Sequence, residues 1–167
     1  KTQVMPEGVS VQTDIPYMND GDKAHRMDVY RPEGSESTTL PVVINIHGGG
    51  LLIGSKEFNR FFCAKLSRLG YLVFSIEYRL VPDCMVFDQF SDVCNAFKYI
   101  NAHLGEYNGD SNHIYGVADS GGAYLLTYTA AMAKNRELAK AAHVKPQKFS
   151  FRAIGLISGM FYTNRFD

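Results

Sequence analysis

Ser120 stands in a segment of small residues, Ala118-Asp119-Ser120-Gly121-Gly122, that would allow a sharp turn around its hydroxyl. A serine on a strand-to-helix turn needs small residues two positions before and after it, and the turn exposes the hydroxyl as a nucleophile; the usual pattern is G-x-S-x-G. Here Ala118 takes the place of the first glycine. The alternative is that Ser120 only caps the N-terminus of the following helix, as serine often does.

A second candidate is the triglycine loop, His47-Gly48-Gly49-Gly50, which follows the apolar run Pro41–Ile46. Glycine lacks a Cβ, so such a backbone reaches positive φ and its N–H groups can approach a bound atom closely. The loop could cradle a phosphate, stabilise an oxyanion, or be only a tight turn. It lacks the Lys-Ser/Thr of a P-loop and the G-x-G-x-x-G order of a dinucleotide-binding turn, so a nucleotide-binding module is the weaker interpretation.

The two glycine-containing turns complement each other. Each follows an apolar run that reads as a strand, and open sheets bind ligands at the carboxyl ends of their strands. A serine elbow needs further N–H donors for its tetrahedral intermediate, and these are expected in the loop after the third strand. The triglycine loop occupies that place, so the pair favours nucleophilic chemistry at Ser120.

The elements that must position these turns form an alternating series. Four short apolar runs, rich in β-branched and aromatic residues, predict strands buried on both faces. They are Pro41–Ile46, Tyr71–Ile76, His113–Ala118 and Ala153–Ile157. The segments between them predict helices over Phe58–Leu69, Phe90–Leu104 and Ser120–Ala133. This alternation predicts an α/β fold, a mostly parallel sheet with helices on both faces.

Two further segments flank this series. Val9–Ile15 and His25–Tyr30 alternate apolar and polar residues around a turn-like Asn-Asp-Gly-Asp sequence, which predicts antiparallel edge strands. The basic segment Lys134–Lys148 reads as a solvated helix end and loop rather than a docking patch.

Composition excludes several classes of protein. The chain has 167 residues with 46% hydrophobic and 20% charged residues, which indicates one globular domain or part of a larger one. With 17 basic and 17 acidic residues it has no net charge, so we expect no nucleic-acid partner. No apolar run is long enough for a membrane span. The three cysteines have no metal-binding spacing, so we expect free thiols rather than a disulfide framework, and a cytoplasmic location.

Three blocks of sequence in the same order resemble a known family. HGGGLLIGS (His47–Ser55), EYRLVPD (Glu77–Asp83) and ADSGG (Ala118–Gly122) are similar to the patterns HGGG-F/W-x-x-G-S, D-Y-R-L-A-P-E and G-D-S-A-G-G of the hormone-sensitive-lipase-like α/β-hydrolase esterases. The resemblance runs from about Val9 to Ser158, and the spacing from Tyr78 to Asp92 also follows it. The departures are Ala118 for Gly, Gly121 for Ala, Asp83 for Glu and Cys84 for His.

The resemblance implies a role for each matched residue. Ser120 would be the nucleophile, and the backbone N–H groups of Gly48, Gly49 and Gly121 would form the oxyanion hole. His47, Gly50 and Asp119 would support these loops. Arg79 and Asp83 would hold loops beneath the site, with an ordinary surface ion pair as the alternative.

No general base is evident in this sequence. A serine hydroxyl needs a histidine oriented by a carboxylate, and in this fold both follow the serine in the chain. The only later histidine is His143, in the basic segment, and the only later acids are Glu137 and Asp167. His113 should lie at the opposite end of the sheet, and His25 and His103 at the surface. We therefore expect a chain truncated after the sixth strand, inactive or weakly active alone.

The sequence thus predicts the N-terminal part of a carboxylic-ester hydrolase acting on a small-molecule ester, a reaction for which we expect no metal and no nucleotide cofactor. Residues 1–40 would form edge strands, 41–158 the parallel core, and 159–167 the start of a cap or linker. The open sheet edge would be covered by a missing C-terminal segment or by another chain. The alternative is a non-catalytic relative that binds a small hydrophobic ligand.

Overall fold

A six-stranded sheet forms the centre of the computed structural model, which describes residues 4–145 and 149–161. Its strands lie in the order β1-β2-β4-β3-β5-β6. They are β1 (Val9–Pro16), β2 (Arg26–Pro32), β3 (Leu40–Ile46), β4 (Leu72–Ile76), β5 (Gly109–Asp119) and β6 (Ala153–Ile157). The pairs β1–β2 and β2–β4 are antiparallel, and β4–β3, β3–β5 and β5–β6 are parallel. The predicted α/β fold is confirmed, with the antiparallel strands at one edge.

In the described part of the chain, four α-helices connect or follow these strands: α1 (Arg60–Arg68), α2 (Val86–His103), α3 (Ser120–Met132) and α4 (Arg136–Ala141). Helix α2 begins four residues before its predicted start, because the Asp88 carboxylate accepts a hydrogen bond from the Met85 N–H at 2.8 Å. Helix α4 was not predicted as a separate element. It begins where the Asn135 side chain accepts the Leu138 N–H at 3.0 Å.

The alternation of side chains along the central strands places helices on both faces of the sheet. On one face, Val43 and Val73 pack with Cys63 and Ala64 of α1. On the other face, the neighbouring strand residues join a larger core with α2 and α3. Because both faces are covered, the strands read as continuous apolar runs rather than alternating ones.

Strand register brings three loops together at the carboxyl edge of the sheet. Ile46 of β3 is level with Ile76 of β4 on one side and with Ala118 of β5 on the other. The triglycine loop, the loop that begins at Glu77, and Ser120 therefore leave the sheet side by side.

Strand β6 lies at the far edge of the sheet, and all five of its residues are exposed. Of the predicted cap or linker, residues 162–167 lie outside the described residues. Among the residues that are described, no helix is long and apolar enough to cross a membrane.

Candidate active site

Ser120 is the first residue of α3 and follows the last residue of β5 directly. Its φ of +47° lies in the left-handed region, which costs a residue other than glycine roughly 1–2 kcal/mol. The N-cap of α3 is Asp119, so Ser120 does not cap the helix as the alternative interpretation held. Its side chain is only partly buried, and within residues 4–145 and 149–161 its hydroxyl has no hydrogen-bond partner.

Glycines bring the triglycine loop into contact with this turn. A Cβ added to Gly48 would lie 3.0 Å from the Cβ of Ser120, and one added to Gly121 would lie 3.3 Å from the Gly50 nitrogen. A Cβ on Gly122 would collide with the carbonyl oxygens of Ile46 and His47. The turn and the loop are therefore packed against each other at backbone distance, an approach that side chains would prevent.

The backbone N–H of Gly48 is already engaged. It donates to the Asp119 carboxylate at 3.1 Å, so in this arrangement it does not face an incoming oxyanion as the resemblance implied. The N–H groups of Gly49 and Gly50 have no acceptor among the described residues. A carboxylate beside the loop also disfavours a bound phosphate, which argues against the nucleotide-binding interpretation.

His47 is wholly buried, and both of its ring nitrogens lie at hydrogen-bond distance from acceptors. Nδ1 is 2.8 Å from the Gly48 carbonyl oxygen, and Nε2 is 2.7 Å from Oε1 of Glu77. The Tyr78 ring stacks on the imidazole with centroids 4.4 Å apart, and its hydroxyl donates to the His47 carbonyl at 2.8 Å. These contacts leave neither nitrogen of His47 free to act on Ser120.

Arg79 forms its ion pair with Asp92 and not, as the alternative interpretation held, with Asp83. Its guanidinium donates to both oxygens of Asp92, at 2.9 and 2.7 Å, and Asp92 is almost fully buried. Asp83 is exposed and forms no ion pair with any described residue. The physical reason is that Asp83 lies in the turn before α2, whereas Asp92 lies in the second turn of that helix, against the Arg79 loop.

The remaining histidines are also placed away from the serine hydroxyl. All five histidines of the chain lie in the described residues, and none is hydrogen-bonded to Ser120. His143 is exposed after the end of α4, and His113 lies in the first half of β5. The expectation that His25 is at the surface was wrong: it is 3% exposed, with Nδ1 2.6 Å from an Asp20 oxygen.

The sequence reasoning missed Glu77 and Gln89 as residues that support the loops. Glu77 also accepts the Lys56 N–H at 2.9 Å, which joins the two loops that follow β3 and β4. The buried Gln89 amide donates to the carbonyl oxygens of Leu51 and Arg79 at 2.9 and 2.8 Å. The position of Glu77 directly after a buried strand was a usable signal, whereas Gln89 lies in a helix whose pattern did not distinguish it.

A cleft of about 530 Å³ lies beside these loops. It is lined by Gly54, Tyr78 and Arg79 together with residues 22–24 of the β1–β2 hairpin, and Ser120 is not part of its lining. Among the residues described, no group of three or more histidine, cysteine, aspartate or glutamate side chains is arranged to hold a metal ion.

Residues 27–160 match the family model described as BD-FAE. The chain belongs to the BD-FAE family. The matched region of this BD-FAE chain runs from β2 past the end of β6 and includes both the triglycine loop and Ser120. Its similarity to solved and curated esterases confirms the resemblance to α/β-hydrolase esterases.

Solved structures and curated proteins similar to this BD-FAE chain bear esterase names. Esterase B from Lactobacillus rhamnosis (HN001) superimposes with a TM-score of 0.90 at 28% identity, covering 95% of this chain and 50% of its own. That protein has also been crystallised inhibited by a tributyrin phosphonate, where the TM-score is 0.88 and the identity 29%, over 92% of this chain and 50% of that one.

Two curated relatives extend the comparison. The probable carboxylic ester hydrolase LipM of Mycobacterium tuberculosis is 31% identical over 123 residues, 68% of this chain and 28% of LipM. The probable isoprenylcysteine alpha-carbonyl methylesterase ICME of Oryza sativa subsp. japonica is 29% identical over 136 residues, 81% of this chain and 32% of that protein. The chain thus spans about half the length of Esterase B and about a third or less of these curated relatives.

Proposed function

We propose that this chain carries the nucleophile and the oxyanion-binding loop of a serine carboxylic-ester hydrolase. The observation that carries the proposal is the close approach of Gly48 to Ser120: a Cβ added to Gly48 would lie 3.0 Å from the Cβ of a serine held at a φ of +47° at the carboxyl end of a parallel strand. The substrate class is a small-molecule ester, as the names of the similar proteins suggest.

In the proposed reaction, Ser120 Oγ bonds to the acyl carbon and the ester oxygen leaves with a proton. Water then cleaves the acyl-enzyme and restores the hydroxyl. The oxyanion would be held by the N–H groups of Gly49, Gly50 and Gly121, since that of Gly48 is held by Asp119. Each such donor is worth about 3–4 kcal/mol, roughly 10²–10³ in rate.

The general base is assigned to a histidine outside residues 1–167. Every histidine of this chain is described, and none is hydrogen-bonded to Ser120. A serine hydroxyl without such a base is a weak nucleophile at neutral pH, so the chain of residues 1–167 should be inactive or nearly so. The intact gene product is therefore the protein in which activity should be measured.

The test uses the intact gene product, short-chain p-nitrophenyl esters and a tributyrin phosphonate. Ester hydrolysis is expected, with kcat/KM lowered at least ~10³-fold by Ser120→Ala. Ser111, an exposed serine of β5, supplies the matched control, because Ser111→Ala should leave hydrolysis unchanged. Mass spectrometry should find the phosphonate on Ser120 in the wild type and in Ser111→Ala. Labelling at another serine, or full turnover by Ser120→Ala, would contradict the proposal.

The absence of a histidine hydrogen-bonded to Ser120 also supports a second function, binding of a small hydrophobic ligand without turnover. In that case the intact gene product would bind a non-hydrolysable ester analogue saturably, while showing neither turnover nor phosphonate labelling. The cytoplasmic location expected from three cysteines remains a prediction that fractionation of the source cells would test.

A further inference from the structure

Asn59 occupies a helix N-cap position without capping the helix. It precedes α1 directly, and asparagine is among the residues favoured at such positions for its side-chain oxygen. Here the side chain turns away from the helix N-terminus. Its amide nitrogen lies 2.8 Å from Oδ1 of Asp119 and 3.3 Å from Oδ1 of Asn45.

A chain of hydrogen bonds beneath the site decides which way this amide faces. The Lys56 carbonyl can only accept, so the Ser75 hydroxyl donates to it at 3.3 Å. Ser75 Oγ therefore accepts from the Asn45 amide at 3.1 Å, which leaves the Asn45 oxygen to accept from Asn59. Ser75 and Asn45 are both fully buried, so water does not compete for these bonds.

The end of this chain is the carboxylate of Asp119. Its Oδ1 accepts both the Asn59 amide and the backbone N–H of Gly48. Asp119 adjoins Ser120 in the chain, so one carboxylate oxygen joins the serine turn, the triglycine loop and the start of α1. Hydrogen bonds to an ionised acceptor are about twice as strong as neutral ones.

We propose that Asn59 is a positioning residue, which holds the Asp119 carboxylate in the orientation that binds Gly48 and thereby fixes the triglycine loop against Ser120. Its effect on catalysis rests on the proposed function. Asn59 would touch no substrate, so its loss should lower kcat and leave KM nearly unchanged. A misplacement of about 1 Å at reacting groups costs up to ~10²-fold, so we expect a 10–100-fold loss of kcat for Asn59→Leu.

Asn59→Asp gives a pH signature that a capping role would not. The new carboxylate would replace an amide that lies 2.8 Å from Oδ1 of Asp119, and two carboxylates so close repel when both are ionised, so the pair keeps one proton to a higher pH than a lone carboxylate does. The protonated pair has one O–H donor and can restore the bond, whereas the doubly ionised pair repels. The ratio of mutant to wild-type kcat/KM should therefore rise as the pH falls from about 8 to about 5. For Asn59→Leu, the ratio of mutant to wild-type kcat/KM should be well below one and independent of pH. If Asn59 acted only through the helix, Asn59→Asp would behave as wild type, because aspartate caps equally well.

The experiment uses the intact gene product and two readouts. Asn101, exposed on α2, supplies the controls Asn101→Leu and Asn101→Asp, which should match the wild type at every pH. The second readout is deuterium exchange at the Gly48 amide, which does not depend on activity. In Asn59→Leu, exchange at the Gly48 amide should be at least 10-fold faster than in the wild type. Exchange at the backbone amides of the paired strands β1 and β2 should be unchanged.

The outcomes separate the two proposals. If the wild type is inactive but Gly48 exchanges faster in Asn59→Leu than in the wild type, the positioning role is supported and the hydrolase proposal is refuted. The positioning role would be overturned if the wild type is active while both Asn59 variants keep its Gly48 exchange rate and a kcat within twofold of it. If Asn59→Leu does not fold, the pH series of Asn59→Asp decides, and a flat ratio near one overturns it.

Discussion

At the scale of single residues, the site depends on how closely backbone atoms approach one another. Gly122 shows this, because the carbonyl oxygens of Ile46 and His47 occupy the space where its Cβ would lie. The first small residue of the pattern tolerates alanine, since Ala118 packs into the core at the end of β5. The two small positions of the serine turn are thus not equivalent.

Gly122→Ala should therefore be strongly destabilising. The added methyl group must displace the backbone of residues 46–47, and overpacking of this kind costs about 1–3 kcal/mol of unfolding free energy. Urea denaturation followed by circular dichroism measures the loss. Gly105 is the matched control, because a Cβ there meets nothing within 4 Å. Gly105→Ala should stay within about 0.5 kcal/mol of wild type, and equal effects at the two positions would refute this account.

Two of the three cysteines, Cys63 and Cys94, should be unreactive in the folded protein. Burial raises the pKa of the Cys63 thiol to about 12 and that of Cys94 to about 11. A raised thiol pKa means that the thiolate forms only as the pH approaches that value, so at pH 8 roughly 10⁻³ or less is ionised. Iodoacetamide at pH 8 should label both sites slowly in native protein and quickly in urea, as mass spectrometry would show. Equal rates in the two conditions would contradict the burial of these thiols.

At the scale of elements, a buried lysine adds an ionic link between the antiparallel edge strands and the core, besides the hydrogen-bonded pairing of β2 with β4. Lys56 is 4% exposed and lies in the short 3-10 turn before α1. Its ammonium nitrogen is 3.0 Å from the buried Asp28 of β2 and 3.2 Å from Asp14 of β1. This cluster joins the loop after the triglycine turn to the two strands that the sequence predicted as an edge.

Lys56→Met should destabilise the chain by about 3–5 kcal/mol, because Asp28 would be left as an uncompensated buried charge. Chemical denaturation measures the effect, and Lys65→Met on the exposed side of α1 is the matched control. Adding Asp28→Asn to Lys56→Met should recover part of the loss, since the double variant removes the unpaired charge. No recovery in the double variant would show that packing of the lysine stem, rather than charge, accounts for the effect.

At the scale of the whole molecule, the sheet edge formed by β6 is exposed to solvent. Strand β6 ends the sheet beside β5, and its apolar side chains Ile154, Leu156 and Ile157 are 39%, 36% and 50% exposed. An exposed apolar strand with unpaired backbone groups is a template for pairing with another chain.

A purified chain of residues 1–167 should accordingly self-associate as its concentration rises. Ile154→Lys should reduce that association, because a charge on an edge strand opposes pairing. Analytical ultracentrifugation over a range of concentrations measures both chains. Leu69, exposed at the end of α1, supplies the control Leu69→Lys, which should associate as the wild type does. A chain that stays monomeric at all concentrations would contradict the prediction.

The sequence by itself determined the order of the elements and the identity of the two turns. Continuous apolar runs such as Pro41–Ile46 predicted buried parallel strands, and their flanking glycines located the triglycine loop and Ser120. These features are local, because backbone geometry and side-chain periodicity depend on neighbours in the chain. The same locality explains why helix limits were off by a few residues and why α4 was missed.

Tertiary structure alone decided which polar groups meet. Asp92 rather than Asp83 pairs with Arg79, the Gly48 N–H binds Asp119, and His25 is buried. Each partnership joins residues that lie far apart in the chain or on different elements, so it depends on strand register and helix placement. The type of a residue determines whether its side chain can donate or accept a hydrogen bond. Only the packed fold determines which donor lies within reach of which acceptor.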